Sequence, residues 1–396
     1  MTSKTTTRLR AATRRCKPAQ SATCVDAVIV TLTLGTYLLT AAPLRADEIT
    51  LVESGSTLIY PLFNVWAIEY TKTHPGVRIV TNATGSEQGI NQAISGAANI
   101  GTSDAYMSDA EIRRNPQIIN VAMAISAQTV NYNLPGFNGA ALKLDGPVLA
   151  GIYAGRIRAW DDKAIGALNP GLALPHHDII PVRRADGAGD TFVFTQYLSF
   201  TTRWWEEKFY FGRSIAWPDV AGALTATGNS GMLETLQRTP YSIGYIGVSF
   251  YNEIAKAQLG TALLKSYSGE FLLPTPETIQ AAAAALTPRT PADQRLTLVN
   301  APGARAYPLI NYEYAVVSTK QANPAIAGAI RRFLLGDRTR PNQRKISAGY
   351  TFHSVTSPHM GFELRSDPID QVERRLFMFF KSSATGGDPA MSLVGH

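Results

Sequence analysis

Cysteine is almost absent. The 396 residues hold only Cys16 and Cys24, both near the start, so a chain that loses this stretch can form no disulfide and must rely on a packed core. Histidine is scarce too, and His74, His176, His177, His353, His359 and His396 show no metal-ligand spacing. The His176-His177 pair after Pro175 is expected on the surface. No G-x-S-x-G elbow and no G-x-x-x-x-G-K-[ST] loop occurs, which removes the parts of a serine hydrolase or a nucleotide-hydrolysing enzyme. A phosphatase would need a metal cluster or a nucleophile that the sequence does not name. Neither an enzyme, a metal nor a cofactor is therefore expected.

Only one long apolar run is present, from Ala27 to Leu44, behind a basic segment carrying Lys4, Arg8, Arg10, Arg14, Arg15 and Lys17. Thr31, Thr33, Gly35 and Thr40 weaken it as a membrane anchor, so residues 1–46 are expected to be a signal peptide cleaved after Ala46. Cys24 precedes the run, the wrong place for a lipid-modified cysteine, and a soluble periplasmic product is expected. The leader takes with it seven of the 37 basic and one of the 30 acidic residues, leaving 30 against 29. The formal charge of +7 thus falls to about +1, and nucleic acid is not an expected partner.

Hydrophobic residues make up 45% of the chain, ordinary for a globular protein, and the length suffices for two core-forming lobes. After residue 47 short β-branched strands alternate with amphipathic helices, an α/β pattern. Strands are expected at Ile49–Glu53, Val77–Asn82, Ile100–Ser103 and Ile179–Arg183. Helices are expected at Tyr60–Thr71, Gly89–Ser95 and through Leu198, with an alanine-rich one at Gln280–Leu286. Ser108 and Glu111 form a capping-box start. Ala124–Asn133 and Tyr307–Thr319 read as long strands that carry the chain to a second lobe and back. The expected division is 47–128 and 305–336 for the first lobe and 129–304 for the second. Trp66, Trp204, Trp205 and Trp217 are assigned to packing rather than sugar stacking.

Three strand-to-helix turns share one grammar: Gly55-Ser56-Thr57, Thr84-Gly85-Ser86, and the run Arg184-Ala185-Asp186-Gly187-Ala188-Gly189-Asp190-Thr191. A hydroxyl or a glycine pair sits where a helix begins, so unpaired backbone N–H groups face outward, an arrangement suited to oxyanions and equally to an ordinary N-cap. Arg184 adds a permanent charge with a planar fork, and Asp186 beside it is placed to fix the guanidinium while an anion takes another edge. Asp104, at the end of a strand, is the oddity. A carboxylate there repels an anion unless that anion brings a proton to donate, which phosphate does near neutrality and sulfate does not.

At these residues the chain resembles the phosphate-binding (PstS-type) proteins of ABC phosphate importers, with the likeness greatest to the mycobacterial branch. The strings that carry it are Glu53-Ser54-Gly55-Ser56-Thr57-Leu58, Ile100-Gly101-Thr102-Ser103-Asp104-Ala105, Val130-Asn131-Tyr132-Asn133-Leu134-Pro135-Gly136, Trp160-Asp161-Asp162, Leu168-Asn169-Pro170-Gly171 and Tyr307-Pro308-Leu309-Ile310-Asn311-Tyr312-Glu313-Tyr314. The resemblance implies a two-lobed periplasmic-binding-protein (type II) fold with two crossover hinge strands, closing over a dehydrated phosphate. It implies a monomer that delivers inorganic phosphate to the permease and ATPase components of an importer. It also implies that Thr57 and Ser86 donate hydroxyls, Leu58 and Ser86 backbone N–H groups, and Arg184 its guanidinium. Asp104 would accept the ligand's proton, while Ala188, Gly189 and Asp190 or Thr191 close the other side.

Three departures stand out. Ala188 replaces the family's usual serine and deletes a donor worth about 1.5–3 kcal/mol. Glu87 and Gln88 replace small residues after Ser86, and Glu87 is expected to point to solvent if phosphate binds. From about Asp337 the family's closing helices give way to an atypical tail, 337–396, with an amphipathic stretch at 369–380 carrying Val372, Leu376 and Phe379. These departures keep an oxyanion sensor, an adhesion-type surface protein or a non-transporting paralogue with weakened phosphate binding as the alternative.

Overall fold

The computed structural model describes residues 48–137 and 141–335. The expected cleavage after Ala46 and the amphipathic stretch at 369–380 lie outside the described residues.

Three strand–helix units open the described residues: β1 (Ile49–Gly55) and α1 (Tyr60–Thr73), β2 (Val77–Val80) and α2 (Ser86–Ser95), β3 (Ile100–Ser103) and α3 (Asp109–Arg114). Pro61 presets the first turn of α1, which buries Leu62, Phe63, Ala67 and Tyr70 along one face. The helix ends at His74, where Pro75 disfavours further helical backbone. The capping box of α3 forms as the sequence predicts, Ser108 and Glu111 each satisfying the other's backbone N–H. α2 begins three residues earlier than expected. Gly85 takes a φ of 92° to turn the chain, and Glu87 then stands in the first turn, where a carboxylate suits the helix dipole.

The long β4 (Ile118–Tyr132) leads to β5 (Lys143–Leu144), α4 (Gly146–Tyr153), α5 (Lys163–Leu168), β6 (Ile180–Arg184), α6 (Gly189–Thr201), α7 (Arg203–Lys208), β7 (Leu224–Ala226), α8 (Gly228–Arg238), β8 (Ser242–Gly247) and α9 (Tyr251–Lys256). Short strands β9 (Gly260–Thr261), β10 (Leu263–Lys265) and β11 (Phe271–Leu272) precede α10 (Pro276–Leu286), β12 (Ile310–Ser318) and α11 (Pro324–Leu335). α10 starts before the expected Gln280, because Thr275 caps it and Pro276 fits its first position.

The main sheet runs β2-β1-β3-β12-β4-β8-β6-β7, with β9 paired to β4. Parallel strands lie at both ends, and the antiparallel pair β12 and β4 joins them. β4 changes partner along its length, pairing with β12 up to Ala127 and with β8 from Gln128. Both sets of strand ends therefore meet around one pair of strands. One apolar cluster, built on Leu51, Phe63, Tyr70 and Val317, includes Ile330 of α11. A larger one surrounds α6, whose residues from Gly189 to Ser199 are all buried. An all-round buried helix is held rigidly, so its first turn is a fixed platform.

Trp66 packs partly buried against the first cluster and Trp205 is fully buried, while Trp204 and Trp217 pack at the edge of the second cluster. Arg156 lies over the Trp204 ring at 3.6 Å. No described helix is long and apolar enough to cross a membrane.

Candidate functional site

Four helix starts converge beside the β12–β4 pair. From the first, the Ser56 hydroxyl accepts the backbone N–H groups of Leu58 at 3.1 Å and Ile59 at 3.2 Å, and donates to Asp104 Oδ1. From the second, Ser86 Oγ lies 3.3 Å from Asp104 Oδ2 and accepts the Asp104 backbone N–H at 3.2 Å. Asp104, only 3% exposed, thus ends β3 between two hydroxyls. Its carboxyl is raised above the ordinary range by burial, against the opposing pull of Glu313, Ser56, the Arg184 charge and Ser86.

The third start is the glycine-rich turn between β6 and α6. Arg184 has a side chain 1% exposed, and its Nε and Nη2 edge grips Asp186 while Nη1 pairs with Asp190. Burial disfavours the guanidinium charge, but the carboxylates outweigh it and hold the group above its usual value. Because Asp186 takes the two-point edge, Asp190 receives only part of that charge. Burial and the nearby Asp104 charge then push Asp190 up to about 7, although Arg184 and Asn229 pull the other way. Three of the five guanidinium N–H groups serve these acids, which leaves two for a ligand.

Gly189 is where the sides touch. A Cβ added there would lie 2.6 Å from both Asp104 Oδ2 and Ser86 Oγ, so only glycine lets the start of α6 approach β3 and α2 this closely. Asp104, Ser86, Gly189 and, through Asp190, Arg184 therefore form one contiguous set.

The remaining expected residues are placed less directly. Thr57 Oγ1 accepts from Asn229 N at 3.2 Å and Asn229 Nδ2 at 2.9 Å, which leaves its own O–H to donate elsewhere. The Leu58 N–H is held by Ser56, as described. The Ala188 N–H is donated to Arg213 O at 3.0 Å, and the Thr191 hydroxyl pairs with Tyr245 Oη at 2.8 Å. Glu87 does not point freely into solvent. It is half-buried against Gly187 and accepts from Ser214 Oγ at 3.1 Å. Nearby, Arg213 pairs with Glu111, so the 209–215 loop is tied to α2 and α3.

The PBP superfamily domain model matches residues 40–335. A phosphate-binding protein PstS from Methanocaldococcus jannaschii is 32% identical over 73% of this chain and 78% of its own length. The chain belongs to the PstS family of phosphate-binding proteins. A PstS from Pasteurella multocida is also 32% identical, over 78% of this chain and 86% of its own. Mycobacterial members match as well, PstS 3 of Mycobacterium leprae at 27% identity over 72% of this chain and 78% of its own. Among solved structures, a putative phosphate ABC transporter substrate-binding protein from Clostridium perfringens, with bound phosphate, covers 76% of this chain and 97% of its own at a TM-score of 0.53. At 19% identity that likeness concerns the α/β fold.

Three residues packed around these helix starts escape the reading of the strand-to-helix turns. Asn229 sits at a fourth such turn, Thr227-Gly228-Asn229, and its Nδ2 reaches both Thr57 Oγ1 and Asp190 Oδ2 at 2.9 Å. The same pattern of a hydroxyl residue and a glycine where a helix begins marks it in the sequence. Glu313 is fully buried on β12, and strand alternation puts it on one face with Asn311 and opposite Tyr312 and Tyr314. It is the one charged residue of that strand, INYEYAVVS, which is its signal. Gln128, where β4 changes partner, donates to Asp190 Oδ1 at 3.0 Å.

Proposed function

We propose that this protein captures inorganic phosphate with high affinity outside the bacterial inner membrane and delivers it to the permease and ATPase components of an ABC importer. It does so as a monomeric binding protein, with residues 47–128 and 305–336 closing against 129–304, and not as an enzyme. The observation that carries the reading is the meeting of Ser86, Asp104, Gly189 and the Arg184–Asp190 pair at one point between the two sets of strand ends. The relatives' names agree with it.

The charge balance favours an anion that carries protons. Arg184 faces Asp186 and Asp190, and Asp104 lies within the field of both Arg184 and Asp190. A fully ionised guest such as sulfate would set its oxygens against carboxyl oxygens with nothing to share. Phosphate near neutrality brings one or two hydrogens, and Asp104 and Asp190 are the two acceptors for them. Thr57, Ser86, Gly189 and the free guanidinium N–H groups are the donors, with Leu58, whose N–H Ser56 holds, and Ala188 and Thr191 at the margin.

Calorimetry of the processed chain with phosphate, arsenate and sulfate tests this reading. Tight phosphate binding with near silence for sulfate is expected. Equal heats for the two anions, or none for phosphate, sink it. Release of phosphate from an organic ester would instead bring back the phosphatase alternative.

A further inference from the structure

Behind Asp104 stands a second acid that the phosphate reading leaves unused. Glu313 is fully buried on β12, at the place where the β12–β4 ladder shifts register between Glu313 and Tyr314. Bulges of this kind gather beside functional sites, where they re-aim side chains. Asn311, on the same face, donates through Nδ2 to Glu313 Oε1 at 3.0 Å and to the Asp104 backbone oxygen at 3.3 Å. The other Glu313 oxygen has no donor among the described residues, and the Asp104 carboxyl lies within hydrogen-bond reach.

Two buried carboxyl groups in contact hold together only if one keeps a proton. The surroundings decide which. Asp104 has the Ser56 and Ser86 hydroxyls and the Arg184 charge to stabilise its ionised form. Glu313 has Asn311 alone, and the charged groups that face it, Asp104 and Asp190, both oppose its ionisation.

We propose that Glu313 is a specificity-determining positioning residue, which keeps its proton, donates it to Asp104, and so fixes Asp104 as the ionised acceptor that reads a hydrogen on the bound phosphate. The role rests on the phosphate reading. Without that donor Asp104 would take up a proton of its own, become a donor, and offer sulfate the hydrogen it lacks.

Phosphate and sulfate titrations of the full chain, from mildly acid to mildly alkaline pH, separate the possibilities when run on the native protein, E313L and E313Q. E313L is expected to lower the preference for phosphate over sulfate by at least about tenfold, the effect of one hydrogen bond to a charged group. It should also move upward the pH below which that preference is lost. E313Q is expected to restore both, because an amide presents C=O to Asn311 and N–H to Asp104. In the infrared, the native protein should show a protonated-carboxyl band that E313Q removes, which keeps the test decisive even if E313L fails to fold. Equal behaviour of E313Q and E313L, an unmoved pH profile in E313L, or a band unchanged in E313Q would overturn the proposal. Failure of the native protein to bind phosphate would instead bring down the phosphate reading itself, and this role with it.

Discussion

The Asn229 side chain reaches from the start of α8 to Thr57, its Nδ2 lying 2.9 Å from Oγ1, and at the same distance from Asp190 Oδ2. One amide thus ties the turn before α1 to the acid that pairs with Arg184. Its own Oδ1 is fixed by the Gly247 N–H at 2.8 Å. Asn229→Ala removes all three contacts and leaves a buried carboxyl and a backbone N–H short of partners, at a cost of about 1–3 kcal/mol for each unsatisfied group. Urea denaturation should show a loss of about 2–6 kcal/mol for the two groups together, and calorimetry a phosphate affinity about tenfold or more weaker. An unchanged affinity would place Thr57 and Asp190 outside the site.

Arg184→Ala is expected to abolish measurable phosphate binding. It also leaves Asp186 and Asp190 without their cation, and breaking a buried pair in this way costs about 3–5 kcal/mol. The destabilisation should be smaller under acid conditions, where Asp190 carries a proton and needs no partner. Phosphate titration and thermal unfolding on either side of neutrality check both parts.

Asp104→Asn keeps the shape of the acceptor but supplies N–H groups in place of a charge. Phosphate should weaken by about tenfold as one charge-assisted bond goes. Sulfate, now offered a donor, should become measurable in a competition titration. A variant that still ignores sulfate would show that Asp104 does not read the ligand's proton.

Ala188 stands at the N-cap of α6 with extended backbone and no side-chain cap. Ala188→Ser gives that cap an oxygen to accept a first-turn N–H and a hydrogen left to donate to an anion. An affinity gain of about ten- to hundredfold is expected, with roughly 1 kcal/mol added to stability by the cap. If stability rises and affinity does not, the hydroxyl serves the helix alone.

Glu53 and Asp190 are pushed up to about 7 by burial, from ordinary values of 4.5 and 3.8, burial being joined at Asp190 by the charge of Asp104. Their neutral forms favour folding in full below the ordinary values. That contribution fades as pH rises to about 7, because the folded chain holds protons that the unfolded chain has already released. In phosphate-free buffer the unfolding temperature should therefore fall between about pH 5 and pH 7. Glu53→Gln and Asp190→Asn should each flatten the slope. A flat native profile would mean that both acids are ionised in the fold.

Much of this site was open to reading along the chain, because its parts are local. A strand that ends in glycine and a hydroxyl before a helix declares its purpose within about four residues, since helix starts always expose unpaired N–H groups. Ser86, Arg184 and the Ser108–Glu111 box follow from neighbours alone. The pairing of Arg184 with Asp186 likewise needs only two positions of separation.

What the linear order left undecided is which groups face one another across long separations. Glu313 meets Asp104 only because β12 lies beside β3, and Asn229 reaches Thr57 only because β4 changes partner between Ala127 and Gln128. Protonation belongs to the same class of fact. A carboxyl's charge depends on its depth and on the acids around it, and these are set when distant strands pack, not by the residues on either side of it.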